Sequence, residues 1–151
     1  MFEHISRPIT VALGLLAVSL VATAQEDPED QIKYRQNTMK ATGGHVGAIA
    51  LILRERVDYP DHLALHARSL SAVAETFPDV FPEGSDMGDT RALPAIWENP
   101  DDFEATIQQA QDAIAAFTAA VEANDKEAIG PAFEEVGDRC KACHDDYRKE
   151  E

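Results

Sequence analysis

The chain is poor in cysteine and in positive charge, and it carries no apolar run long enough to cross a bilayer. Cys140 and Cys143 are the only cysteines among 151 residues. A structural zinc site normally takes four sulfur or nitrogen ligands, so two thiols alone do not make one. Thioredoxin-like use of a Cys-x-x-Cys pair requires a βαβ setting, and no strand pattern is present. A bare disulfide stays open for two cysteines in an exported chain. Lys and Arg number 13 against 28 Asp and Glu, a formal net charge of −15. That sign argues against nucleic-acid or anionic-membrane binding and favours a basic partner or simple solubility. The apolar run Val11–Val21 is well short of the ~20 residues a membrane helix needs.

That run has another use. Arg7 precedes it and Ala22-Thr23-Ala24 follows as a small-x-small site, the layout of a secretory signal peptide. Residues 1–24 are expected to be removed. Taking 24 from 151 residues leaves 127, a length that suits one domain over 25–151. Glu3 and Arg7 leave together, so the net charge is unchanged. Hydrophobic residues make up 44%, enough for a packed core.

The densest chemistry lies near the C-terminus, in Cys140-Lys141-Ala142-Cys143-His144. A C-x-x-C-H run reads as a c-type haem attachment site, with both thiols as thioethers and the histidine as an axial iron ligand. On a helix the two cysteines reach one edge of a macrocycle, and His144 stands one turn beyond Cys140. In a Gram-negative cell, export and haem c attachment together point to the periplasm.

Four amphipathic helices are expected. The first has Asp27 as N-cap and Pro28 at its first position. It runs to about Arg54, with Ile32, Met39, Val46 and Leu53 every seven residues on one face. Gly43 and Gly44 interrupt it, and Gly43, one turn past Met39, lets a flat ligand approach closely. Tyr59-Pro60 opens the second helix, whose inner face is Leu63, Ala67, Leu70, Ala74 and Phe77, and Pro78 stops it. Residues 78–100 form a Pro-, Gly- and Asp-rich crossover anchored by Phe81, Ile96 and Trp97. Asn99-Pro100 opens the third helix, with Phe103, Ile107, Ala110, Ile114, Phe117 and Val121 inward. Asn124 with Glu127 suggests a capping box for the fourth. Its inner face is Phe133, Val136, Cys140, Cys143 and Tyr147, and Pro131 should kink or delay it. Other candidate ligands are weaker. Met87 lies in the crossover, and His45 is rotated away from the Met39 face. His62 and His66, one turn apart, are two imidazoles, a poor metal site by themselves.

The mature chain resembles the class II cytochromes c, the cytochrome c′ family, and within it the low-spin methionine-ligated subgroup. The matching residues are Lys33-Tyr34-Arg35-Gln36, Gly88-Asp89-Thr90-Arg91 with Ile96-Trp97, and Val136-Gly137 through the haem motif to Tyr147-Arg148. The resemblance implies an all-α antiparallel four-helix bundle with one covalent haem c near the C-terminus. It implies Met39 as distal axial ligand opposite His144, Arg35 as partner of a haem propionate, and Arg148 as a basic residue on the proximal side. Its members often pair through the first two helices, so monomer and homodimer both stay open.

With two permanent axial ligands the expected function is one-electron transfer in the periplasm to a redox protein partner, with no substrate transformed and hence no enzyme. The alternative is a five-coordinate, gas-binding or nitric-oxide-buffering protein with an open or weakly closed iron. Peroxidase-like activity would want a polar distal side, which the first helix does not offer.

Overall fold

The computed structural model describes residues 27–150; the expected signal peptide lies outside them. Among the described residues there are five α-helices: α1 (Pro28–Leu53), α2 (His62–Ala74), α3 (Ala95–Glu98), α4 (Pro100–Glu122) and α5 (Lys126–Tyr147). The four long ones form the antiparallel four-helix bundle. A 3₁₀ turn (Phe77–Val80) and the single-turn α3 lie in the crossover. Among the described residues the only β pairing is an isolated bridge between Ala92 and Arg148.

Helix α1 starts as expected: the Asp27 carboxylate accepts from the Glu29 N–H at 2.9 Å and Pro28 needs no partner for a missing donor. It continues through Gly43 and Gly44 without a break. Its buried stripe, however, is Ile32, Arg35, Thr38, Thr42 and Ile49, whereas Met39, Val46 and Leu53 are half-buried. Thr38 and Thr42 lie on a buried face because each hydroxyl donates to the carbonyl four residues back, leaving no polar hydrogen unpaired.

Other helix ends depart from expectation in part. Helix α2 begins at His62, and Tyr59 and Pro60 form the turn before it. It ends at Ala74, ahead of Pro78, where Gln111 donates to the Ala74 carbonyl at 2.9 Å. Asn99 is the N-cap of α4 but makes no side-chain capping bond. At the start of α5 the cap is Asp125, whose carboxylate accepts from the N–H groups of Glu127 and Ala128. Asn124 instead turns the chain at φ 52°, a left-handed conformation that asparagine tolerates. Pro131 sits inside the second turn of α5, and the helix passes through it.

The core is centred on Ile49, Ala67, Leu70, Ile114, Phe117 and Val136. Helix α4 is its spine, burying Phe103, Ile107, Ala110, Ala113, Ile114, Phe117 and Thr118. Thr118 donates across to the Ala67 carbonyl at 3.2 Å, and Phe117 meets Phe133 with ring centres 5.3 Å apart. Packing runs α1 to α2, α2 to α4 and α4 to α5; α1 and α5 barely touch. One side of the ring of four helices is therefore not closed by protein.

Candidate haem site

That unclosed side explains the uneven burial of α5. Val136 is its single fully buried residue, while Phe133, Cys140, Cys143 and Tyr147 are half-buried against the core. An apolar helix face left half-exposed calls for a partner, and across the gap Met39 and Val46 of α1 are half-buried against the same core. A Cβ added at Gly43 would meet no atom within 4 Å. The two cysteines are free thiols, so the disulfide left open above does not form. Burial pushes the Cys140 thiol up. Cys143 is pushed up to about 11 by burial first, then by Cys140 and Asp146, against a smaller opposing effect of Arg148. Burial thus disfavours the thiolate at both sulfurs. This donor set, two thiols and an imidazole on one half-covered face, fits a covalently held, flat apolar group.

His144 is half-buried. Its pKa is lowered, chiefly by burial, then by the positive charges of Arg148 and Arg91, with Asp145 opposing. It is held as the neutral imidazole, the form that ligates metals. A short clasp fixes this region: Leu93 donates to the Tyr147 carbonyl at 2.9 Å and Lys149 to the Arg91 carbonyl at 2.8 Å. The Arg91 guanidinium reaches the Lys149 carbonyl at 2.7 Å. Arg148 is the C-cap of α5. Arg91 was part of the family-like stretch but had no role assigned from sequence; the clasp brings it to the histidine.

Arg35 is 4% exposed. It donates to Ser85 Oγ at 2.7 Å, the Ser85 carbonyl at 2.8 Å, Thr90 Oγ1 at 2.9 Å and the Val80 carbonyl at 3.3 Å. Its guanidinium carbon stands 5.1 Å from the Phe81 ring centre and 5.9 Å from that of Trp97. No carboxylate of the described residues pairs with it. The crossover is built around this cation: Trp97 donates to the Phe81 and Pro82 carbonyls, and Gln36 donates to the Asp89 carbonyl. Gly88 takes φ 108° with its would-be Cβ 3.5 Å from Ile32, a conformation that favours glycine. Nothing in local spacing ties Ser85 or Thr90, the latter within the family-like stretch, to a residue about fifty positions away.

The remaining candidates separate cleanly. Met87 is 75% exposed in the crossover and stands apart from the site. His62 stacks on Tyr59 at 5.0 Å. His45 faces α2, where its Nδ1 lies 3.0 Å from Nδ1 of His66, so the close histidine pair is His45 with His66. Burial, then His66, lowers the pKa of His45.

A four-helix bundle with C-x-x-C-H on its last helix defines a class of haem proteins. The sequence profile of the family described as Cytochrome C′ matches residues 30–148. Cytochrome c′ of Rhodospirillum rubrum is 36% identical over 141 residues, covering 93% of this chain and 95% of that protein. The structure of cytochrome c prime from Shewanella frigidimarina superposes with a TM-score of 0.79 at 32% identity, over 83% of this chain and 99% of that one. A cytochrome c prime variant from Alcaligenes xylosoxidans, solved as its nitric oxide complex, gives 0.76 at 32% identity, over 82% and 98%. The chain belongs to the cytochrome c′ family, and its cofactor is a covalent haem c.

Proposed function

We propose that this protein is a gas-responsive haem c protein of the periplasm that binds nitric oxide or carbon monoxide rather than transforming a substrate, with residues 1–24 removed on export and 25–151 as the working domain. Cys140 and Cys143 hold the macrocycle through thioethers and His144 takes the proximal iron position. When bound, the haem would supply an iron able to take a diatomic gas, with Met39 of α1 as the residue that would compete with it. Met39 is thus a displaceable distal group, and Gly43 one turn on leaves room beside it. Arg148 sits on the proximal side with Arg91, where their charge adds to burial in lowering the pKa of His144. Arg35 remains the candidate partner for a haem propionate, and pairing there would require it to release one of its present acceptors, Ser85, Thr90 or Val80. The observation that carries this reading is the unclosed α1–α5 side, where Met39 is only half-buried against the core. The nitric oxide complex of a 32% identical relative supports it.

A second reading is one-electron transfer through a low-spin His144/Met39 centre, with a redox protein of basic docking surface as partner, in a monomer or homodimer. What favours it is Met39 itself: a thioether is an axial iron ligand that raises the reduction potential.

Visible spectra of the ferrous holoprotein, with and without carbon monoxide, separate the two. Gas binding predicts that the spectrum shifts when the gas is added. Sharp low-spin bands that the gas leaves unmoved would establish electron transfer instead. Met39→Leu is expected to give a high-spin spectrum that shifts with carbon monoxide; the same low-spin bands in that variant would remove Met39 from the iron.

A further inference from the structure

We propose that His45 and His66, with His62 closing the site, form a surface site for a divalent transition-metal ion across the α1–α2 seam, with Cu(II) its best-suited occupant. His62 and His66 lie one turn apart on α2, and sequence alone leaves them two ligands short of a full coordination shell. The fold supplies a third imidazole from the other helix: His45 Nδ1 is 3.0 Å from His66 Nδ1, with ring centres 5.3 Å apart. At metal–nitrogen bonds of ~2.0–2.1 Å, that separation corresponds to an N–metal–N angle of about 95°, nearer the right angle of a tetragonal ion than the tetrahedral angle of zinc. Nitrogen-rich tetragonal sites select Cu(II) or Ni(II), and Cu(II) binds tightest of the divalent series.

The two rings are half-buried at the edge of the bundle, so an ion has direct access. In the structure they share one hydrogen along a nearly straight line, since the separation of the ring centres equals the N···N distance plus the two ring radii. For metal entry the donor ring takes its other tautomer, its proton leaving Nδ1 to solvent and a proton being taken up at Nε2, and both rings tilt toward the ion. Among the described residues no three potential ligands stand together within reach of one ion. His62 completes the set by leaving its stack on the exposed Tyr59, a change of rotamer on the helix surface. Water fills the remaining positions.

The test is a titration of mature holoprotein with Cu(II), followed by calorimetry and by the electron paramagnetic resonance of copper, on the parent and on His45→Asn, His66→Asn and His62→Ala. Loss of even an outer partner of a metal ligand costs ten- to hundredfold in affinity, so each of the two asparagine variants should bind at least about tenfold more weakly. One copper per chain with nitrogen hyperfine splitting is expected in the parent, reduced in all three variants. Circular dichroism and the haem spectrum, unchanged in the variants, would show that the bundle persists. Copper bound by His45→Asn and His66→Asn as tightly as by the parent, or no stoichiometric binding in the parent, would overturn the site.

Discussion

At the scale of single residues, Arg35 departs furthest from what its type suggests. A guanidinium cannot shed its charge in a protein, so one that is 4% exposed must have every donor direction answered. Ser85, Thr90 and Val80 accept from Nη1 and Nη2, and the Phe81 and Trp97 rings lie alongside. Lysine is a point charge on a flexible stem and cannot reproduce the fork. Arg35→Lys is therefore expected to destabilise the fold by about 3 kcal/mol, the range for lost hydrogen bonds to a charged group with buried carbonyls left unpaired. Urea denaturation of the holoprotein measures this, and a loss within about 0.5 kcal/mol would mean that the crossover is held by its apolar contacts alone. Phe117 of α4, fully buried and packed on Phe133 of α5, is the apolar counterpart. Phe117→Ala should cost about 3–5 kcal/mol, read from the same denaturation curves.

At the scale of elements, helix starts show how a one-residue difference in cap changes the outcome. Asn124 and Asp125 are both good capping types, and Glu127 three residues after Asn124 suits a capping box. The chain turns at Asn124 with positive φ because α4 must reverse into α5 within a few residues, and the capping role passes to Asp125. Asp125→Ala should cost about 1 kcal/mol, while Asn124→Gly, which relieves a left-handed residue, should be neutral or stabilising. A larger loss for Asn124→Gly than for Asp125→Ala would reverse the assignment. The crossover is the other element whose form was partly legible: Phe81, Ile96 and Trp97 do anchor it, but the partners of Arg35 within it, and its clasp on α5 through Leu93 and Lys149, are contacts between segments remote in sequence.

At the scale of the whole molecule, three helix pairings are completed by protein and the fourth is not. The inner faces of α1 and α5 are apolar, yet Met39, Val46, Cys140 and Cys143 stay half-buried, so the covalent haem is the missing part of the core. A ligand bound only by the folded state raises its stability. A chain with Cys140→Ser and Cys143→Ser, which cannot attach haem, is expected to unfold at lower urea concentration and to bind the dye ANS on the exposed α1–α5 faces. Denaturation at the parent's midpoint without dye binding would mean that the two helices close on each other instead.

The helices, the four-three spacing of α2 and α4, the haem motif and the family were legible in the chain because each is carried by residues a few positions apart: 3.6 residues per turn converts local spacing into a face. Spacing did not say which of two neighbouring faces of α1 meets α2 and which is left to the cofactor. Ile32 and Met39 share one stripe in the sequence, yet Met39 stays half-buried while Thr38, Thr42 and Ile49 are buried along with Ile32. Nor did it say that His45 rather than His62 is the near neighbour of His66, or that Arg35 closes on Ser85 and Thr90. Those are consequences of how whole helices dock, decided by the volumes of all the side chains at a seam together, and only the tertiary structure contains them.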